Sequence, residues 1–286
     1  MSQKVAIVTD STAYFEPGEV KELGIHVVPL KIRLGNEKLL DGLATDTEEL
    51  FRKAGLSGQF PISYPPDPAE FEQVYAEIHR KETDQILSIH ISSHLSDTIH
   101  RARAGAEALM GRCSIMIVDS MTTSVGLGIL VKAAARAARE GASLDDIVRL
   151  VRGMLPHIYL IFYVETMDYL ERSGRIGKAQ AVLGSMLSIK PILFMEDGDI
   201  IPLEKVRTTE KALEKLFEFV AEFDNLEQTA IIQRSKQPSK EAKLLKERLE
   251  QSFPKLQFPV IQYGPDLATR IGPNAVGIVV YEGMSF

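Results

Sequence analysis

The sequence predicts an α/β protein: a parallel, doubly wound N-terminal domain over 1–157, followed by a C-terminal α+β domain with a mixed sheet over 158–286. Three observations carry that prediction. Short apolar runs rich in β-branched residues alternate with helical patterns as far as Pro156, the signature of strands joined by crossover helices. The runs "VAIVTDST", "QILSIHISSHLSDT" and "SIMIVDSMTTS" each stop on small polar residues. Beyond Pro156 the alternation gives way to a hairpin pattern and charged helices. A length of 286 residues also exceeds the usual size of a single core.

In chain order, the short apolar runs rich in β-branched residues at 4–9, 26–34, 86–91 and 114–118 read as strands buried on both faces. "DPAEFEQVYAEIHRK" sets Pro68 at a helix start, with Phe71, Tyr75 and Ile78 at helical spacing. A second helix runs from Ser96 toward Gly111, and a third, Ala-rich, through "TTSVGLGILVKAAARAARE" to Gly141. "SLDDIVRLVRGML" is a fourth, with Ser143 as N-cap and Asp146 three residues on. In the second half "YLIFYVE" is a strand and "ILFMEDGDIIPLEKV" a hairpin turning at Asp197-Gly198-Asp199. Helices at 208–224 and 238–252 separate strands near 229–234 and 257–262, and "AVGIVVYE" closes the fold.

The composition excludes several functions. A net charge of −6 leaves no broad basic field for nucleic acid or an anionic membrane. The single cysteine, Cys113, rules out an intrachain disulfide and reads as a buried structural thiol, in keeping with a reducing cytoplasm. The first apolar run is interrupted by Asp10 and lacks a signal-peptide pattern. No run approaches the roughly 20 residues that span a bilayer. A cytoplasmic location without stable membrane insertion is therefore expected.

In parallel sheets ligands bind beyond the carboxyl ends of the strands, so the three polar clusters mark the expected crevice, between those ends and the second domain. Asp10 and Asp119 end two of the strands and could serve a hydrolase or a phosphoryl-transfer enzyme. The familiar aspartyl-nucleophile pattern needs a second Asp two residues on, and position 12 is Thr. Their plainer role is to cap backbone N–H groups at strand-to-helix junctions. "SVGLGILV" lacks the third glycine of a dinucleotide fingerprint, so no nucleotide cofactor is expected and the glycines imply close approach of a helix to a neighbour. His90, His94 and His100 fall on a strand, a loop and a helix, with no metal-ligand spacing, and no metal is expected. The basic stretch "RSGRIGK", with Lys205 and Arg207, reads either as a partner surface or as a solvated loop.

"TMDYLERSGRIGKAQAVLGSMLSIKPIL", residues 166–193, closely resembles the corresponding segment of the DegV family. "IVTDST", "ISSHLSDT", "VDSMTTSVGLG" and "RIGPNAVGIVV" follow the family in the same order, so the resemblance covers nearly the whole chain. It implies a fatty-acid-binding protein of the FakB type. Such a protein holds a long-chain fatty acid in an apolar tunnel while a separate kinase subunit phosphorylates the carboxylate with ATP, and the acyl phosphate enters phospholipid synthesis. On this reading the chain is a carrier, not an enzyme, and needs no cofactor.

The resemblance also implies a ligand site. The family's carboxylate-binding Ser corresponds to Ser93, in the Ser92-Ser93 pair. A second contact, the Thr of a T-S-Q-P stretch, is replaced here by Ile62; Ser63 remains and Tyr64 stands for the Gln. Where the family often has H-T-G-P-G, this chain has Arg270-Ile271-Gly272-Pro273-Asn274. Arg270 is expected to compensate for the lost hydroxyl by gripping the carboxylate with its guanidinium fork. Arg172, Arg175, Lys205 and Arg207 are expected to face the kinase, because a local basic group stands out on an acidic protein.

Overall fold

The computed structural model of the chain describes residues 5–41, 45–174 and 189–283. The first half runs β1 (Val5–Asp10), α1 (Glu19–Leu23), β2 (Ile25–Val28), β3 (Lys31–Leu34), β4 (Glu37–Leu40), α2 (Thr47–Ser57) and β5 (Ile62–Tyr64). It continues with α3 (Pro68–Lys81), β6 (Gln85–His90), α4 (Thr98–Glu107), β7 (Ser114–Asp119), α5 (Ser124–Arg139) and α6 (Leu144–Met154). The second half is β8 (Ile158–Tyr163), α7 (Asp168–Arg172), β9 (Lys190–Glu196), β10 (Asp199–Val206), α8 (Thr209–Ala221) and β11 (Leu226–Gln233). It ends with α9 (Lys240–Ser252), β12 (Val260–Gln262), α10 (Pro265–Ile271) and β13 (Val276–Glu282).

The strands β2-β1-β6-β7 form an all-parallel sheet, as the apolar runs predict. The chain leaves β1 toward β2 on one side and later returns to β6 on the other. The reversal puts a topological switch point at the carboxyl ends of β1 and β6, beside Asp10 and His90. The second sheet, β10-β9-β8-β13-β11-β12, is antiparallel except for the β11–β12 pair, and is therefore mixed.

Five layers result. Phe71, Tyr75 and Ile78 of α3 and Ala102 of α4 pack on Ala6, Val8 and Ile86 of the parallel sheet. The opposite face, through Ile7, Leu87 and Ile89, meets α5 and α6; beyond them lie Leu160, Phe162, Leu193 and Val279 of the mixed sheet, all in one continuous core. Leu216 of α8 and Leu245 and Leu249 of α9 cover the outer face of that sheet. Because α5 is sandwiched between two sheets, it is apolar nearly all round over its first three turns, as a helix buried on every side must be. The glycines of "SVGLG" belong to this contact: a Cβ on Gly128 would lie 2.1 Å from the Tyr14 carbonyl oxygen, and one on Gly126 2.9 Å from Ile158.

Several elements depart from the sequence pattern. The run 26–34 is two strands, since Pro29 cannot donate to a ladder. β2 stays in the parallel sheet while β3 enters a small antiparallel sheet, β4-β3-β5. Helix α2, capped by the Asp46 carboxylate on the Glu48 and Glu49 amides, and the short buried α10 are additional. The helices expected at 208–224 and 238–252 begin one or two residues later, behind Thr208 and Ser239, whose hydroxyls accept from Lys211 N and Ala242 N. Cys113 is half-buried rather than buried, its thiol donating to the Asp84 carbonyl.

Candidate functional site

Asp10, at the switch point, is fully buried and accepts from four donors. Its Oδ1 takes the Thr12 amide at 3.0 Å and the Thr12 hydroxyl at 2.6 Å; its Oδ2 takes the Ile91 amide at 2.9 Å and faces His90 Nδ1 at 3.0 Å. The imidazole is itself bonded through Nε2 to Ser88 Oγ at 2.6 Å, and Ser88 to the Tyr75 hydroxyl at 2.8 Å. A neutral His90 satisfies the whole chain: Tyr75 donates to Ser88, Ser88 to Nε2, and Nδ1–H to Asp10. These are the residue types of a serine-hydrolase triad, yet Ser88, His90 and Asp10 are all without exposure, packed under α3. The arrangement ties β1, β6 and α3 together at the point where the sheet reverses.

Asp119 serves the next junction in the same way, accepting from the Ser93 amide at 3.2 Å and the Met121 amide at 3.0 Å. Ser92 donates its hydroxyl to the Gly198 carbonyl at 2.6 Å and so joins the parallel sheet to the β9–β10 turn. That turn is the Asp197-Gly198 pair the sequence marks, with both residues in the left-handed region. Ser93 is half-buried, and among the described residues its hydroxyl has no partner. Among those residues the Thr9 and Thr123 hydroxyls of the other two strand-end clusters are also without a partner but fully buried, whereas Ser93 is partly exposed.

A second buried group lies around α10. Asp266 receives Arg270 Nε at 3.1 Å on one oxygen and Nη2 at 2.8 Å on the other, and the Ser63 hydroxyl donates to the same carboxylate at 2.5 Å. Arg270 Nη1 donates to the Leu95 carbonyl at 2.5 Å, in the loop that carries Ser92 and Ser93. Arg270 and Asp266 thus clamp Ser63 and that loop together. Beneath them the Asp266 amide donates to Asp41 Oδ1 at 2.9 Å, and the Ser11 hydroxyl to Asp41 Oδ2 at 2.7 Å. Burial, reinforced by the Asp266 charge, pushes the Asp41 carboxyl up to about 8.

The structure therefore brings Ser63 and Arg270 together, and links both to the loop of Ser92 and Ser93. The fork expected to hold a ligand is engaged with Asp266. Asp266 was not singled out in the sequence, although "DLATR" places it four residues before Arg270, where an ion pair on one helix forms. Asp41 had no such signal. Ile62 and Tyr64 alternate with Ser63 on β5, so they occupy the other face of the small sheet, each 38% exposed.

Of the basic residues, Arg172 is exposed at the end of α7 and lies 4.1 Å over the Phe60 ring. Lys205 and Arg207 are exposed at the end of β10. Arg175 lies outside the described residues. His94 and His100 are exposed, and among the described residues no group of three or more His, Cys, Asp or Glu is placed to hold a metal ion. No described helix is long and apolar enough to cross a membrane.

The order of the motifs and the geometry they form find their match in known proteins. A family model described as an uncharacterised protein of the DegV family matches residues 4–283. The chain belongs to the DegV family. A DegV domain-containing protein of Listeria innocua is 34% identical over 282 residues, covering 97% of this chain and 98% of its own. The structure of a fatty-acid-binding DegV family protein from Thermus thermophilus superposes with a TM-score of 0.88 at 30% identity, covering 98% of this chain and all of that one. That of DegV, a fatty acid binding protein from Bacillus subtilis, gives 0.87 at 28% identity, with the same coverage of 98% and 100%. The parallel and mixed sheets described above are thus those of the DegV fold.

Proposed function

We propose that this DegV protein binds one long-chain fatty acid and presents its carboxylate to a separate ATP-dependent fatty acid kinase, without chemistry of its own. The observation that carries the reading is the pairing at the strand ends of an unengaged, half-buried Ser93 hydroxyl with a built frame around it. Ser63, Asp266 and Arg270 fix one side of that frame, and Ser92 with the β9–β10 turn fixes the other. Asp10 and Asp119, the residues an enzyme would use, are committed to structural donors. The two DegV proteins reported above bind fatty acid, and this chain shares their fold along almost its whole length.

The energetics suit a lipid. About 14 methylenes of a long acyl chain, at roughly 0.8 kcal/mol each, supply on the order of 11 kcal/mol before the costs of association. The head group then needs few donors, and Ser93 with the remaining N–H groups of Arg270 supplies them. Arg270 contributes chiefly by holding Ser63 and the Ser93 loop in register.

Protein expressed in bacteria should carry about one long-chain fatty acid per chain, as expected for a tight apolar ligand. Denaturing extraction followed by lipid mass spectrometry measures it. Protein that is lipid-free as isolated and takes up no fatty acid on incubation would overturn the carrier reading.

A further inference from the structure

Beneath the hydroxyls of the proposed head-group site, the buried charges do not balance. Asp41, Asp266 and Arg270 are 0%, 1% and 4% exposed, so two carboxylates share one guanidinium out of reach of water. Asp266 has the stronger hold on it, since both of its oxygens accept from Arg270. Among the described residues Asp41 is met by donors that carry no charge, the Ser11 hydroxyl and the Asp266 amide. The other ionisable groups near it deepen the imbalance: Asp266 from α10 and Asp10 from the end of β1 both face Asp41, while Arg270 is turned to Asp266 and His90 to Asp10. A buried carboxylate without a counter-charge takes up a proton.

We propose that Asp41 is the acid that keeps this site neutral, and that a fatty-acid carboxylate binds only while Asp41 holds its proton. The inference rests on the fatty-acid reading above. With Asp41 protonated, the Asp41, Asp266 and Arg270 group sums to zero, while Asp10, held by four donors of its own, contributes the same charge in both states. With Asp41 ionised, the group sums to −1 and the ligand meets like charge where little water screens it. The path is short: Ser63 touches Asp266, and Asp266 touches Asp41. The upward displacement of the Asp41 carboxyl, to about 8, agrees with the charge count. By reciprocity, bound ligand must strengthen the hold of Asp41 on its proton.

The test uses the whole protein, stripped of lipid, and dodecanoate kept below its aggregation concentration so that its own carboxyl stays ionised. Calorimetric titration near pH 8 in two buffers of different ionisation heat should show uptake of a substantial fraction of a proton per ligand. Affinity should be level on the acid side of about 8 and fall toward tenfold per pH unit above it. Asp41→Asn, uncharged at every pH, should lose that fall whatever its affinity at pH 6.5. If this variant does not fold, proton uptake by the parent protein decides alone. Dodecanoate binding without proton uptake, and with affinity unchanged into the alkaline range, overturns the role of Asp41 and leaves the fatty-acid reading standing. Absence of binding by dodecanoate and by longer chains at every pH overturns both.

Discussion

Replacing Asp10 by Ala removes the acceptor for four donors at the switch point without touching any surface group. The Thr12 hydroxyl can rotate to another partner, but the Thr12 and Ile91 amides and the His90 ring N–H are fixed by the fold. Each stranded buried donor costs about 1 to 3 kcal/mol. A water admitted to the space of the lost carboxylate recovers part of that, so the net loss should be about 3 to 5 kcal/mol. This is a large share of the roughly 5 to 15 kcal/mol that holds a folded domain. Asp10→Asn should lose about 1 to 3 kcal/mol, because whichever way the amide turns, its NH2 faces donors. Urea unfolding of lipid-free protein, followed by far-UV circular dichroism, measures both. If Asp10→Ala unfolds at the parent midpoint, the buried-acceptor account of the motif is wrong, and a purely chemical role for Asp10, which needs no loss of stability, becomes the better explanation.

Three further outcomes are expected. Arg270→Ala and Asp266→Ala should each cost about 3 to 5 kcal/mol by leaving a buried charge unpaired, and the double variant should lose clearly less than the sum, as a double-mutant cycle in urea will show. The Asp41 carboxyl lies above its ordinary value in the folded protein, so this group lowers stability as pH rises from about 4 to about 8, at a slope of up to about 1.4 kcal/mol per unit; Asp41→Asn should lose less stability than the parent between pH 5 and pH 8, and equal losses would show that Asp41 does not hold the proton. If the chain serves the proposed kinase, charge reversal at Arg172 together with Arg207 should slow acyl-phosphate formation by that kinase while dodecanoate affinity stays unchanged, and equal loss of both would point to a folding role instead.

Much of this architecture was legible one element at a time. Pro68 starts α3, Ser143 caps α6 on the Asp146 amide, and Asp197-Gly198 turns the β9–β10 hairpin, each within a window of about four residues. The small sheet was not legible as a sheet, because Lys31 and Arg33 alternating with Ile32 and Leu34 mark a half-exposed strand beyond Pro29 but not the partners it pairs with. Nor was α10, which is buried all round and so shows no polar face to set its period.

The site divides in the same way. The sequence by itself determined the parallel order of the polar strand ends and the family, and it pointed to the serines at 63, 92 and 93. Only the tertiary structure decided that Arg270 is held by Asp266, that Asp41 lies beneath them with no counter-charge among the described residues, and that His90 joins Asp10 to Ser88 and Tyr75. The physical reason is that a charge or a hydroxyl acquires its character from desolvation and from partners within about 3 Å. Here those partners come from segments as far apart as Asp41 and Asp266, which only the packed sheets and α10 bring together.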